Sequence, residues 1–357
     1  MPTPYDALLI VSFGGPDRPD DVRPFLENVL RGRNVPHQRM LEVVEHYYQM
    51  GGRSPINDQN RALIAALEKE LAEHGLHFPI YWGNRNWHPL LADTLRRMAA
   101  DGVRRALAFV TSAYSSYSSC RQYRENIAAA QAEVGSSAPQ VEKLRAFFNH
   151  PGFIEPLVEN TRSAIEQIPP ERRQNAELIF TAHSIPTAMA ASCRYEEQLR
   201  EACRLVAEGL TSSLSLRERA GVRVPWSLVY QSRSGPPQQP WLEPDVGDYL
   251  QSRHQQSPIR DVVIVPIGFI SDHMEVVYDL DTELRQLCDR LGINMVRAAT
   301  VGTHPRFIRM IRELIEERLT DSPQRLALGT LGPSHDVCPD DCCLYAPVRP
   351  PAGNYNK

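Results

Sequence analysis

Several familiar signals are missing from the sequence, and each absence removes a class of protein. The 357-residue chain has no apolar run near the roughly 20 residues that a membrane-spanning helix requires. Its start, MPTPYDALLIVSFGG, enters a strand at once, so no secretory leader is expected. Positive charge is not in excess: Lys and Arg number 39 against 43 Asp and Glu, a net charge of −4, and there is no global nucleic-acid footprint. Seven unevenly placed cysteines do not make a secreted disulfide scaffold, which implies the cytoplasm. Neither Gly14-Gly15 nor Gly51-Gly52 completes G-x-G-x-x-G after a strand, so the phosphate cradle of a nucleotide-dependent oxidoreductase is missing. At 42% hydrophobic and 23% charged, the chain suits one large or two medium globular domains.

What remains is an alternation of strands and helices without hairpin signals, which implies an α/β fold with parallel sheets. Apolar runs at Ala7–Val11, Ala106–Thr111, Leu178–Ala182 and Val262–Ile267 read as buried strands, and amphipathic stretches such as Ala62–His74 and Tyr195–Glu208 as the helices between them. VSFGGP early and TAHSIP later both end a strand in a Ser and a Pro, a hint of two related halves. The expected division is residues 1–149, joined by a C-terminal helix at 305–320, then residues 150–304, then a Cys-containing tail at 321–357. In open α/β sheets ligands gather at the carboxyl ends of strands, which would bring Phe13, His183, Ser232 and Asp272–Glu275 to one cleft between the halves.

The densest chemistry follows the strand at Val262–Ile267. Asp272–Glu283 reads as one helix, on which Glu275, Asp279 and Glu283 fall at i, i+4 and i+8, a ridge of carboxylates spaced roughly 6 Å apart. No Lys or Arg interrupts it, which suits handing a hard divalent cation from oxygen to oxygen rather than a merely solvated acidic face. His183, at a strand end beside a proline-fixed turn, is placed to act as a general base near neutral pH.

TAHSIP with His183, VYQSRSGPP with Gln231 and Ser232, and PIGFISDHMEVVYDLDTE with Glu275 resemble the ferrochelatases, which insert Fe²⁺ into a porphyrin. SFGGP, the basic Arg31–Arg33, GGRSPIN and TSAYSSYS fit the same family, so the likeness covers nearly the whole chain. The resemblance implies two Rossmann-like halves with the porphyrin between them. It makes His183 and Glu275 the catalytic pair and metal ligands, and Asp279 and Glu283 the outer metal-binding carboxylates. Phe13 departs from relatives that carry Tyr there, and its ring cannot ligate iron. The segment from Leu30 to Arg39 is polar and basic rather than a hydrophobic lip. Arg31, Arg33, Arg53 and Ser54 are therefore expected to bind propionates, which favours the four-carboxylate coproporphyrin III, and Tyr48 and Tyr123 to line the ring. A protoporphyrin IX ferrochelatase making protohaem, and a non-catalytic tetrapyrrole or haem carrier, are the alternatives; the oligomeric state is left open.

Three cysteines within six residues, Cys338, Cys342 and Cys343, suggest a soft-metal site that is one thiolate short. Some ferrochelatases complete a [2Fe–2S] cluster with one internal cysteine, and Cys120 matches that position. Structural zinc or idle thiols are the alternatives, with Cys193, Cys203 and Cys288 as rival ligands. A cluster on the tail would be structural rather than a participant in insertion.

Overall fold

The computed structural model describes residues 4–31, 37–212, 225–235, 238–320 and 324–345. The expected porphyrin contact Arg33 lies outside them.

Short strands, almost wholly buried at the centre of each sheet and partly exposed at its edges, build two four-stranded sheets in which every pairing is parallel. In the first sheet β1 (Ala7–Ser12) lies between β2 (Ile80–Asn84) and β3 (Arg105–Val110), with β4 (Gln140–Lys143) at the edge. The second sheet orders β5 (Glu177–His183), β6 (Trp226–Gln231), β7 (Asp261–Val265) and β8 (Asn294–Arg297) as β6-β5-β7-β8, the same order as β2-β1-β3-β4. Parallel strands need long crossovers, and helices supply them: α1 (Val22–Leu30), α2 (His37–Gln49), α3 (Ile56–Glu73), α4 (Leu91–Ala100), α5 (Gln122–Val134) and α6 (Pro151–Glu166). The second half continues with α7 (Thr187–Ala190), α8 (Tyr195–Ser212), α9 (Val246–Gln256), α10 (Met274–Tyr278), α11 (Arg285–Leu291) and α12 (Pro305–Leu319).

One apolar core runs from the first sheet to the second, and α6 and α12 occupy the space between them. Phe109 of β3 stacks on Phe147 at 5.3 Å, and Phe153 of α6 and Phe307 of α12 close on the same ring at 5.6 and 5.9 Å. Buried within it, Arg145 donates through Nε and Nη2 to the two carboxylate oxygens of Glu317, at 2.8 and 2.9 Å. Among the described residues no helix is long and apolar enough to cross a membrane.

Three features differ from the expected pattern. The edge strand β4, QVEK, lies partly exposed and lacks the apolar signature of a buried strand. Strand β5 runs one residue further than expected and carries His183 in its last position. The helix expected over Asp272–Glu283 begins only at Met274 and turns π-helical over Asp279–Leu284 before resuming as α11.

Candidate active site

The identical strand order fixes where chemistry can occur. In each sheet the crossover reverses direction beside the second strand in the order, so loops after β1 and β3, and after β5 and β7, diverge and leave a crevice at the carboxyl ends. The first half contributes Phe13 after β1 and Ser112–Ser119 after β3; the second contributes His183 at the end of β5 and Pro266–Glu275 after β7. Three side-chain clasps tie these loops across the halves. The Tyr114 hydroxyl donates to the Ile267 carbonyl at 2.9 Å, and Gln198 both accepts from the Ser115 N–H and donates to its hydroxyl. Gln59 of α3 matches both backbone groups of Asp272, accepting from its N–H at 2.8 Å and donating to its carbonyl at 2.5 Å.

His183 and Glu275 meet in this crevice, with Nε2 3.5 Å from Oε1. Gly268 makes the approach possible, because a Cβ there would sit 2.8 Å from both Cα and Cβ of Ala182 in the neighbouring strand. The His183 Nδ1–H donates to the Ser184 carbonyl, so the free nitrogen that faces Glu275 is Nε2. Glu275 is fixed at the first turn of α10: the His273 ring caps its N–H at 3.2 Å, and the buried Gln231 amide donates to its carbonyl at 2.8 Å. Burial opposes both charges, but it is outweighed by the pair's mutual attraction and hydrogen bond, which raise His183 to about 9 and lower Glu275 to about 2. The two side chains keep 31% and 47% of their surface open, so solvent screens the pair and it adds little to stability.

Asp279 behaves differently. Burial raises it to about 7, with the neighbouring charges of Glu275 and Glu283 adding to the rise, while the Ser232 hydroxyl hydrogen-bonds it in opposition. Ser232 holds that position at φ +62°, the left-handed region that a serine rarely occupies, at a cost on the order of 1–3 kcal/mol. The expected ridge of evenly spaced carboxylates is therefore broken. A π turn closes i to i+5, so the four-residue step from Asp279 to Glu283 falls short of one turn. Among the described residues, no three of His183, Glu275, Asp279 and Glu283 bring ligand atoms within 4.8 Å of one another, and they form successive stations rather than one closed site. The absence of interleaved Lys or Arg holds along the sequence, yet Arg297 of β8 reaches back to pair with Asp281 and Asp272, while Glu275 faces the rings of His183 and His273.

The facing wall is aromatic. Phe13 meets Phe25 edge-on at 6.2 Å, Phe25 meets Trp87 at 6.2 Å, and the Arg85 guanidinium lies over both Phe13 and Tyr123. Helices α1 and α2 close this wall against Met274 and Tyr278 of the second half, with His46 stacked on Tyr278 at 4.0 Å. Arg31 and Tyr48 are exposed, and Arg53 is paired with Asp58. Ser54 and Tyr123, expected on the porphyrin, are instead buried, which argues against direct contact from either side chain. Gln59, Arg85 and His273 were not singled out from the sequence. Gln59 gives no signal there because its partner is 213 residues away, whereas the polar residue just before Met274 was a readable capping position.

A second cluster lies under the tail. The cysteines are all free, and Cys120, Cys338, Cys342 and Cys343 line one small hollow. Every other lining residue is a cation: Arg121, Arg124 and Lys143. The neighbouring Cys338, with Lys143 nearby, draws the Cys120 thiol well below the usual range, while Cys338 is raised. Arg121 and Arg124 donate to the carbonyls of Cys338, Pro339, Asp340 and Cys342, holding the tail over α5. Cys203 and Cys288 are buried elsewhere, among apolar side chains.

The family model described as ferrochelatase matches residues 5–319. A ferrochelatase of Rhodopirellula baltica is 58% identical, aligned over 98% of this chain and 96% of its own. A coproporphyrin III ferrochelatase of Streptomyces coelicolor is 52% identical over the same shares of each chain, 98% and 96%. Among solved structures, SirB from Bacillus subtilis with Fe³⁺ covers 90% of this chain and 98% of its own at a TM-score of 0.51 and 12% identity, a likeness of fold alone.

Proposed function

The chain belongs to the ferrochelatase family, lyases that insert Fe²⁺ into a porphyrin, and from that premise we propose that its porphyrin is coproporphyrin III, its product coprohaem, and its catalytic pair His183 and Glu275. The observation that carries the reading is the 3.5 Å meeting of an imidazole and a carboxylate at the two diverging loops of the second sheet. Fe²⁺ entering the ring displaces two pyrrole protons, so the site must deliver a dication and remove two protons. In the metal-free pair the Glu275 charge keeps the proton on His183 Nε2. A dication arriving at Glu275 cancels that attraction, burial then favours the neutral imidazole, whose Nε2 proton passes to solvent, and Nε2 takes each pyrrole proton in turn and releases it to solvent. Asp279, held near neutrality, gains or loses a proton at little cost and suits the station behind Glu275. Glu283, exposed on the following turn, is the outermost.

Relatives named for coproporphyrin III support the choice of substrate, as does the exposed basic charge of Arg31, since four carboxylates rather than two need partners. Steady-state kcat/KM with coproporphyrin III against protoporphyrin IX tests it. A preference of at least tenfold for coproporphyrin III is expected; equal rates or the reverse order overturn the assignment.

We further infer that Cys120, Cys338, Cys342 and Cys343 hold a [2Fe–2S] cluster. Four thiols and three cations around one hollow support it, since the cations offset the negative charge of a tetrathiolate centre. When bound, such a group supplies one-electron redox capacity and a cross-link from the tail to Cys120. None of the hollow's lining residues belongs to the cleft, so insertion proceeds through the residues above. Anaerobically prepared protein should show an iron–sulfur chromophore that Cys342→Ser removes, and colourless, iron-free wild-type protein would defeat the inference. With all seven cysteines unpaired, a reducing compartment, the cytoplasm, is the assigned location.

A further inference from the structure

The thiols of the tail have a neighbour that the cluster leaves unused. His335 is exposed, and its Nε2 lies 3.9 Å from the Cys342 sulfur. One ligand atom each from His335, Cys338 and Cys342 fall within 4.8 Å of one another, the one such group of three among the described residues. The Cys343 sulfur is 3.6 Å from that of Cys342. Tetrahedral zinc with bonds of about 2.3 Å to sulfur and 2.0 Å to nitrogen sets its ligands roughly 3.5–3.8 Å apart. The Cys342–Cys343 separation already matches that spacing and the His335–Cys342 separation is close to it, while Cys343, which lies outside the 4.8 Å group, must swing toward His335 and Cys338 to complete the set.

We propose that His335, Cys338, Cys342 and Cys343 form a second metal site, a Cys₃His set for Zn²⁺, in which imidazole takes the place of Cys120. This goes beyond the cluster, because it needs neither sulfide nor iron and binds a different ion. Binding is a ligand exchange with no change of oxidation state. Neutral Nε2 and three thiolates displace water from the ion, and the protons of those thiols pass to solvent. The two centres share three cysteines and exclude each other.

They also differ in what they join. Cys120 sits on the π turn before α5 and belongs to the body of the first half, whereas His335 belongs to the tail. The cluster bonds tail to body; zinc closes the tail on itself and leaves its docking to hydrogen bonds such as those from Arg121 and Arg124. Zinc is favoured over harder divalent ions because three thiolates and an imidazole are soft-to-borderline donors.

The test uses full-length protein stripped of metal under reducing conditions and titrated with Co²⁺ as a spectroscopic stand-in, followed by displacement with Zn²⁺. Thiolate-to-cobalt charge transfer with intense tetrahedral d–d bands reports this site and not the cleft, whose donors are oxygen and nitrogen. Wild type and Cys120→Ser should both show these bands and lose them to Zn²⁺, His335→Gln should bind at least tenfold more weakly, and His335→Cys should restore tight binding. Reconstitution with iron and sulfide gives the converse pattern, with His335→Gln taking up a cluster and Cys120→Ser failing to. Thiolate bands that vanish in Cys120→Ser but persist unchanged in His335→Gln overturn the proposal, as does their absence from wild type. Failure of wild-type protein to form a cluster would count against the iron–sulfur inference alone and leave the cobalt result standing.

Discussion

The two halves share a strand order and differ in what they place at the crevice that the order creates. After β5 and β7 the second half sets His183, Glu275 and Asp279, groups whose protonation is tuned by burial and by one another. After β1 and β3 the first half sets Phe13, backed by Phe25 and Trp87, and a run of serines and tyrosines that hydrogen-bond within the fold. Topology therefore locates the cleft in both halves, while the side chains differ: on the proposed reading the second half handles the metal and the protons, and the first supplies an aromatic wall. A stiff wall opposite a reactive face suits a substrate whose ring must be held while its centre is attacked.

The largest expected effect comes from removing the reactive face. His183→Ala and Glu275→Gln should each lower kcat by about 10²–10⁴-fold, the usual contribution of a positioned acid–base group, with coproporphyrin affinity changed only slightly. Turnover like wild type in either variant would break the division of labour between the halves. The pH dependence supplies an internal check. His183 is raised above its ordinary 6.5 and Glu275 depressed below its ordinary 4.5. The small stabilisation from the pair is therefore complete between those ordinary values, fades as pH rises through about 9, and fades as it falls through about 2. In metal-free protein the His183 ring should titrate at about 9 by NMR, and in Glu275→Gln it should titrate lower, because burial is then opposed only by the Ser184 carbonyl and the Asp279 charge.

Next in size is the contact that brings the two reactive loops together. Gly268→Ala places a methyl 2.8 Å from the Ala182 backbone, where a strand cannot yield as a side-chain tip would. We expect a loss of about 1–3 kcal/mol by thermal denaturation, together with a fall in kcat larger than that of a surface control of equal stability. Unchanged melting and rate would mean that the loop after β7 does not depend on β5 for its position.

How much of this was readable in advance follows from where each signal lies. Strands β1, β3, β5 and β7 carry continuous apolar runs because both faces are covered, and they stand out in the sequence. The edge strand β4 does not, since half-exposed QVEK has no burial pattern to display. His183 and Glu275 are legible as chemistry after strands, and Gln231 and Ser232 as residues of the same motifs, but what these two do is not. Gln231 and Ser232 act through a backbone carbonyl and a left-handed φ, neither of which residue type alone specifies. The π turn at Asp279–Leu284 is equally silent, because the same apolar residues satisfy both periods over so short a span. Among the tail cysteines, Cys120 and Cys338 come together only through the fold.

A more modest effect tests whether the first half is purely a wall. Like the Tyr114 hydroxyl on Ile267, the Gln59 side chain of this half holds the loop that bears Glu275, through two hydrogen bonds to the Asp272 backbone. Gln59→Leu leaves both backbone groups without that partner, a cost of about 1–3 kcal/mol. As a positioning residue it should lower kcat by roughly tenfold while KM for coproporphyrin III stays the same, since one order of magnitude is about 1.4 kcal/mol. Gln59→Glu keeps the acceptor for the Asp272 N–H and should recover part of the rate. A rise in KM without a fall in kcat would make Gln59 part of the porphyrin wall instead.

The smallest effect is expected at Phe13, and its smallness is the point. If the first half carries no metal, restoring a phenol there gives iron nothing it needs. Phe13→Tyr keeps the ring in its edge-on contact with Phe25 and beneath the Arg85 guanidinium, 5.7 Å from the ring centre. Both kcat and KM for Fe²⁺ should then stay within about threefold of wild type, the range of a change of roughly 0.5 kcal/mol. A tenfold gain in kcat/KM for Fe²⁺ would place a metal ligand on the apolar wall, and the contrast between the two halves would have to be redrawn as a site shared across the cleft.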